Sequence, residues 1–227
     1  MYHVAKENIR WWRHKFNLPP SLVKSIGSTK YTLNRNFFSS IDTQEKAYVL
    51  GFISADGYIH RNLRSISITL SEDDIAILEA IRMVTGSNAE LHHRINKDAV
   101  KPQVTLSLCS KELIRDLLAL GITPNKSLTV RYPPISDLMA PHFIRGVLDG
   151  DGWIGEHQCE IVGSKFLLIG IQDVIHRITG CMWSARPIGR VLKLQCNRRD
   201  RSSMLWIYKG ATLKLERKYQ RFLRYWN

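Results

Sequence analysis

The 227-residue sequence predicts an α+β protein of two αββαββα units related by a pseudo-two-fold axis, each with one curved antiparallel sheet. Three observations predict it. The chain repeats itself: AYVLGFISADGYI (47–59) aligns with HFIRGVLDGDGWI (142–154) at a shift of 95. That shift places Gly51 on Gly146, Asp56 on Asp151, Gly57 on Gly152 and Ile59 on Ile154, and IAILEAIRMVTG (75–86) meets IGIQDVIHRITG (169–180) at 94. Each copy also contains short segments that alternate apolar and polar residues with the period of a strand. Helical patterns with recognisable starts separate those segments.

The elements follow in order. Asp42-Thr-Gln-Glu reads as a capping box that opens an apolar helix to about Ala55. YIHR, a turn and SISITL read as a hairpin. Residues 72–86 read as a helix, with Glu72, Asp73 and Asp74 at the favourable end of its dipole. LHHRI and QVTLSLC form a second hairpin, and KELIRDLLAL (111–120) a third helix. The stretch 121–140, with three prolines and little periodicity, reads as a linker. Unit two starts a helix at Pro141. It continues with strands near 153–162, a helix over 164–180, and strands near 191–197 and 203–209. The last helix, 211–226, has an apolar face of Leu215, Tyr219, Phe222, Leu223 and Trp226, with Lys214, Arg217, Lys218 and Arg221 outside it. SARPIGR (184–190) reads as an extra stretch. The expected organisation is an N-terminal basic and aromatic extension (1–40), unit one (41–120), the linker (121–140) and unit two (141–227).

Charge is unevenly placed. The 33 Lys and Arg exceed the 20 Asp and Glu by 13. Residues 1–40 carry +6, residues 185–227 carry +10, and the middle carries −3. Aromatic residues interleave the basic ends, which points to folded surfaces facing a polyanion. An apolar content of 44% excludes wholesale disorder. No apolar run approaches a membrane span, and MYHVAKENIRWW lacks the apolar stretch of a secretory signal. Four scattered cysteines without a CxxC argue against a zinc site or a disulfide framework, and fit a reducing intracellular compartment.

The repeated helices carry the chemistry. Gly51 and Ala55 are four apart, as are Gly146 and Gly150, so each helix offers a small face for close packing against the other copy, the alternative being close contact with a strand of its own unit. Glycine inside a helix costs about 1 kcal/mol, a cost that close backbone approach explains. Asp56 and Asp151 stand at the helix C-termini, where the dipole disfavours a carboxylate, and side-by-side packing makes them repel each other. Positive charge is missing from the sequence at that point. A hard divalent cation with oxygen ligands would supply it, as in metal-assisted phosphodiester hydrolysis. The alternative for each Asp-Gly is a plain turn after a helix.

VLGFISADG (49–57) and IRGVLDGDG (144–152) resemble the LAGLIDADG motif of homing endonucleases, in the two-motif, single-chain branch. NFFSSIDTQEKAYVLGFISADGYI and LERKYQRF are similar to segments of freestanding members. The resemblance covers about 37–226. It implies a homing-endonuclease-like fold in which the motif helices form the interface and two sheets make a saddle along a long double-stranded DNA target in the major groove. It implies metal at Asp56 and Asp151, with Ala55 and Gly150 beside them. Mg²⁺ is the implied ion, with Mn²⁺ or Ca²⁺ able to substitute for binding, and short 3′ overhangs are the implied product. Position six of the motif is Ser54 in one copy and Asp149 in the other, and Asp149 is not taken as a ligand. A central lysine or glutamine often assists in this family; Lys111 and its rough counterpart Lys209 are candidates.

The DNA-facing residues expected are His60, Arg61, Arg64, Ser67, Thr69, His92, Arg94, Lys97, Lys101, Gln103 and Thr105 in unit one. In unit two they are Arg186, Arg190, Lys193, Gln195, Arg198, Arg199 and Arg201. Residues in turns should meet phosphates and strand residues should read bases. A monomer without an obligate protein partner is expected. The same scaffold also serves RNA-binding intron maturases and non-catalytic DNA-binding regulators, and the retained Asp56/Asp151 pair favours the nuclease.

Overall fold

The computed structural model describes residues 31–95 and 101–227. Unit one comprises α1 (Gln44–Asp56), β1 (Gly57–Ile59), β2 (Ser65–Ser71), α2 (Ile75–Val84), β3 (His92–Arg94), β4 (Gln103–Cys109) and α3 (Lys111–Ala119). Unit two repeats the order with α4 (Ala140–Asp151), β5 (Gly152–Ile154), β6 (Gln158–Gly163), α5 (Lys165–Thr179), β7 (Ser184–Ile188), β8 (Val191–Asn197) and α6 (Arg201–Tyr208). A further helix, α7 (Glu216–Tyr225), closes the chain. The strand orders β1-β2-β4-β3 and β5-β6-β8-β7 are identical, and every pairing is antiparallel. No helix among the described residues is long and apolar enough to cross a membrane.

Helix α1 starts one residue later than the capping pattern predicts. Thr43 is the cap and accepts from the Lys46 amide, because Asp42 is engaged by the Lys46 ammonium and the Ser40 hydroxyl at 2.8 Å each. Residues 72–74 form a separate 3₁₀ turn before α2 rather than its first turn.

Unit two departs further. Residues 203–209, expected as a strand, lie in α6 and its cap. The buried positions Ser203, Met204, Ile207 and Tyr208 recur at helical spacing, which the apolar run concealed. The missing strand is β7, inside the stretch SARPIGR that reads as an insertion. Pro187 is tolerated there because β7 is an edge strand paired only with β8, and Gly189 turns the hairpin at φ +57°. The helix expected over 211–226 begins only at Glu216, and it is an addition to the unit rather than its third helix.

The inner sheet faces are apolar. Ile66, Ile68, Val104, Leu106 and Leu108 line one, and Cys159, Ile161, Leu192, Leu194 and Cys196 the other, all buried. All four cysteines are free thiols. Phe37 and Phe38, which fall within the expected extension, pack into the same core, as do Ile122 and Val130 from the expected linker.

Between the units, α1 and α4 run backbone to backbone. A methyl group added at Gly51 would come within 2.0 Å of the Phe143 carbonyl oxygen, and one at Gly146 within 2.2 Å of the Tyr48 carbonyl oxygen. Only hydrogen fits at those two crossings. Ala55 meets Gly150 one turn further on, at the end that carries the carboxylates.

Candidate active site

The helix crossing delivers Asp56 and Asp151 to one spot. Each is the last residue of its helix, and each is followed by a glycine whose amide closes the helix, Gly57 onto Ile53 and Gly152 onto Leu148. A side chain at either glycine would collide with those same carbonyls, at 2.7 Å and 2.5 Å. Asp56 is half-buried and Asp151 is open to solvent. Among the described residues, neither carboxylate accepts a hydrogen bond from another side chain or amide. Desolvation raises the pKa of both. Asp151 reaches about 6, with the neighbouring charge of Asp56 adding to the effect.

Two buried lysines face this pair. Lys126, 6% exposed, donates from Nζ to the Ala55 carbonyl at 2.9 Å. Lys218, 4% exposed, donates to the carbonyls of Leu148 (2.9 Å), Asp149 (2.6 Å) and Gly150 (3.2 Å). Burial lowers the pKa of both ammonium groups, that of Lys218 to about 8, while the carboxylates pull the other way. The positive charge that looked absent from the sequence is therefore present. It sits on the orphan carbonyls at the C-terminal ends of α1 and α4, where a helix dipole favours a cation.

Neither Lys126 nor Lys218 is one of the lysines expected from the sequence. Lys111 is the exposed first residue of α3, and Lys209 is exposed just beyond α6. With α6 running from Arg201 to Tyr208, Lys209 ends a helix where Lys111 starts one, and it is no counterpart of Lys111. Lys218 also lies inside α7 rather than on its solvent side, whereas Leu223 of the expected apolar face is partly exposed. The repeat held a signal for the pair: Lys126 follows Asp56 by 70 residues and Lys218 follows Asp151 by 67. The carbonyls of Ala55 and Gly150, expected beside the metal, each accept from one of these ammonium groups.

No group of three or more His, Cys, Asp or Glu side chains among the described residues could hold a metal. What remains for an ion is a pair of oxygen donors, Asp56 and Asp151, with no competing hydrogen bonds from the described residues and an open side at Asp151. That donor set suits a hard cation that keeps waters and takes further oxygen ligands from a substrate phosphate.

Each sheet begins at its carboxylate, since β1 follows Asp56 directly and β5 follows Asp151. The outward face of sheet one carries Tyr58, Ser67, Thr69, His92, Arg94, Gln103, Thr105 and Ser107. Its hydroxyls are interlinked, Ser67 to His60 at 2.8 Å and to Ser107 at 3.1 Å, and Thr69 to Thr105 at 2.8 Å. Arg61 and Arg64 project from the β1–β2 turn. Lys101 is tied to Asp73. Lys97 lies outside the described residues.

Sheet two turns Arg186, Lys193 and Gln195 outward, with Lys193 paired to Glu160 at 2.9 Å and Gln195 bonded to Gln158 at 2.8 Å. Arg190 stands in the β7–β8 turn, and Arg198 and Arg199 in the 3₁₀ turn after β8. Arg201 is different: it opens α6 and donates to the Trp226 carbonyl, so it belongs to the packing of the C-terminus. The outward face also carries residues not anticipated, Trp153, Val162, Ile188 and Val191; Trp153 and Ile188 are each nearly half exposed.

No protein-family model matches the sequence, and neither does any curated protein. Solved structures do match. The homing endonuclease I-WcaI bound to its DNA recognition sequence superposes with a TM-score of 0.56 over 97% of this chain and 94% of that chain, at 11% identity. I-DmoI in complex with DNA and Mn gives 0.54 over 75% and 98%, at 16% identity. Full-length WhiA from Thermatoga maritima gives 0.54 over 85% of this chain and 66% of that chain, also at 16%. At these identities the likeness is one of fold, and the fold is that of the LAGLIDADG homing endonucleases.

Proposed function

We propose that the chain is a site-specific double-strand DNA endonuclease of the homing type, acting as a monomer with Mg²⁺. The observation that carries this reading is the pair of carboxylates, Asp56 and Asp151, which no described residue hydrogen-bonds, where the two helices end between the outward faces of the two sheets. Two buried ammonium groups back them. Asp56 and Asp151 would hold the ion, and Mn²⁺ or Ca²⁺ could take its place in binding. When bound, it would acidify an attacking water and neutralise charge on the leaving oxygen. Lys126 and Lys218 add fixed positive charge where a scissile phosphate would lie, and their hydrogen bonds to the helix ends hold that charge in place before substrate arrives. One carboxylate and one lysine at the end of each motif helix match one cut per strand, made across the minor groove to leave short 3′ overhangs.

The outward sheet faces would lie in the major groove. Ser67, Thr69, Gln103, Thr105 and Gln195 offer donors and acceptors to base edges, while Arg61, Arg64, Arg190, Arg198 and Arg199 in turns would meet phosphates. Val162, Val191 and Ile188 form an apolar corner at the end of sheet two nearest Asp151, since Gly152 pairs with Ile161 beside Val162. Apolar side chains in a major groove read thymine methyl groups.

The reading is tested by selecting a bound duplex from a randomised library and challenging it with Mg²⁺, with Ca²⁺ and with chelator. Linear product with 3′ overhangs in Mg²⁺ alone is expected. Asp56→Asn and Asp151→Asn should each bind the duplex but fail to cut both strands. Selected DNA that the unaltered chain holds but never cuts in Mg²⁺ or Mn²⁺ would leave a DNA-binding protein instead.

A further inference from the structure

Asp149 has no part in the cleavage just described, yet it is a wholly buried carboxylate two residues from Asp151. It is 1% exposed and accepts three hydrogen bonds, from Tyr48 Oη (2.8 Å), Tyr208 Oη (3.2 Å) and the Leu215 amide (2.8 Å). Beside it Arg145, fully buried, donates to the carbonyls of Leu213 and Ile207 at 2.8 Å each and stacks its guanidinium over the Tyr48 ring at 5.4 Å. These bonds fix the segment 207–215 to α4 at three backbone points. Leu215 immediately precedes α7, and Lys218 lies three residues further on, in that helix's first turn. Lys218 then returns to α4 and bonds the carbonyls of Leu148, Asp149 and Gly150. Asp149 thus joins the strap that carries Lys218 to the helix end that carries Asp151.

Unit one has no such device. The repeat puts Leu50 where unit two has Arg145, and Ser54 where it has Asp149. The Ser54 hydroxyl merely returns to the Leu50 carbonyl at 2.8 Å. The Lys126 ammonium makes one bond among the described residues, to the Ala55 carbonyl, from a 3₁₀ turn that follows the left-handed Asn125 (φ 58°). The two lysines are held by different means.

We propose that Asp149 is a positioning residue that holds Lys218 against the end of α4, so that one of the two strand cuts depends on a buried carboxylate and the other does not. This rests on the nuclease reading above. A buried carboxylate stripped of its partners is costly, and a small displacement of a charged group is enough to slow chemistry without disturbing binding.

The experiment uses the full chain and a bound duplex labelled separately on each strand, under single-turnover conditions with Mg²⁺. Asp149→Asn should slow one strand on the order of 10- to 100-fold, leave the other within about twofold, and leave affinity for the duplex unchanged. Nicked plasmid should accumulate. Lys218→Met should slow the same strand, and the double variant should be no slower than Lys218→Met alone, because both changes remove one device. Tyr208→Phe, which removes only the 3.2 Å bond, should act in the same direction more weakly. Equal slowing of both strands, or additive effects in the double variant, would overturn the proposal.

A second readout needs no cutting. In the DNA-free protein, acetylation of Lys218 by an amine-reactive acetylating reagent should be strongly suppressed in the unaltered chain and accelerate several-fold in Asp149→Asn, with Lys126 unchanged. Unaltered Lys218 reactivity in that variant would sink the positioning role even if the chain cuts DNA. Accelerated reactivity in a chain that cuts nothing would leave the positioning of Lys218 intact and remove the nuclease reading alone.

Discussion

The carboxylate of Asp56 lies against Gly150 of the opposite helix, so closely that a methyl group added there would come within 3.1 Å of Oδ2 and 2.4 Å of the Ala55 Cβ. The active-site pair and the packing of the two units are therefore one piece of geometry. Where the helices can approach is where the carboxylates can meet.

Alanine at the crossings should consequently act in two graded ways. Gly51→Ala and Gly146→Ala drive a methyl into backbone, which cannot retreat, and each should destabilise the chain by about 3 kcal/mol despite alanine's better helix propensity. Gly150→Ala meets a side chain and a movable carboxylate. It should cost less stability while displacing Asp56. Urea unfolding beside cleavage rates separates the two effects, and a Gly51→Ala chain as stable as the parent would refute the close approach.

Asp151 predicts a pH signature that a cation erases. Its pKa is raised to about 6 in the folded chain, above the ordinary carboxylate value near 3.8. The folded state then binds more protons than the unfolded state between those values, so stability falls as pH rises through that window and levels off above it. Because the group is open to solvent, the effect is modest. Other carboxylates, such as Asp42 and Asp137, are shifted downward and slope the opposite way. Comparison with Asp151→Asn isolates the one group: the parent should lose stability relative to that variant between about pH 4 and 6. Mg²⁺ or Ca²⁺ favours the ionised carboxylate and should flatten the difference. Thermal melts across that range with and without the ion decide it, and a gap that ignores the cation would argue against ion binding at Asp151.

Sequence preference should be unequal between the two halves of the target. Sheet one presents the hydroxyls of Thr69 and Thr105 and the His92 imidazole next to the centre, whereas sheet two presents Val162, Val191 and Ile188. Replacing thymine by uracil removes only a methyl, and in the selected duplex it should weaken binding by about 0.8 kcal/mol per contacted methyl on the side of unit two. The same replacement on the other side should be nearly silent. Val162→Ser combined with Ile188→Ser should abolish the difference, as read by competition binding. A penalty of equal size on both sides would dismiss the methyl contacts.

How far the sequence led is clearest from particular residues. α1, α4 and the strands of unit one were legible because glycine spacing, repeated Asp-Gly and period-two alternation are local properties. α6 was not, because Ser203–Tyr208 is apolar enough to satisfy two periods at once and is set by what it packs against. Lys126 and Lys218 escaped notice for a different reason. A lysine in a polar stretch reads as solvated, and only the tertiary fold brings it to helix-end carbonyls that repay its burial. Asp149 was legible as an oddity of the second motif, but its partners Tyr48, Tyr208 and Leu215 come from both units and three segments.

That last arrangement bears on how the halves find each other. Tyr48 corresponds to Phe143, Leu50 to Arg145 and Ser54 to Asp149. Two copies of unit two facing one another would set each Asp149 opposite a phenylalanine, which removes the hydroxyl that Tyr48 donates across the seam and leaves only the partners from its own unit, Tyr208 and the Leu215 amide. Two copies of unit one would bring tyrosine hydroxyls to a seam without a carboxylate. The two repeated helices are equivalent in backbone but differ at these seam positions, so each complements the other better than it complements a copy of itself. The covalent link keeps the halves together, and the buried charges keep them from pairing with their own kind.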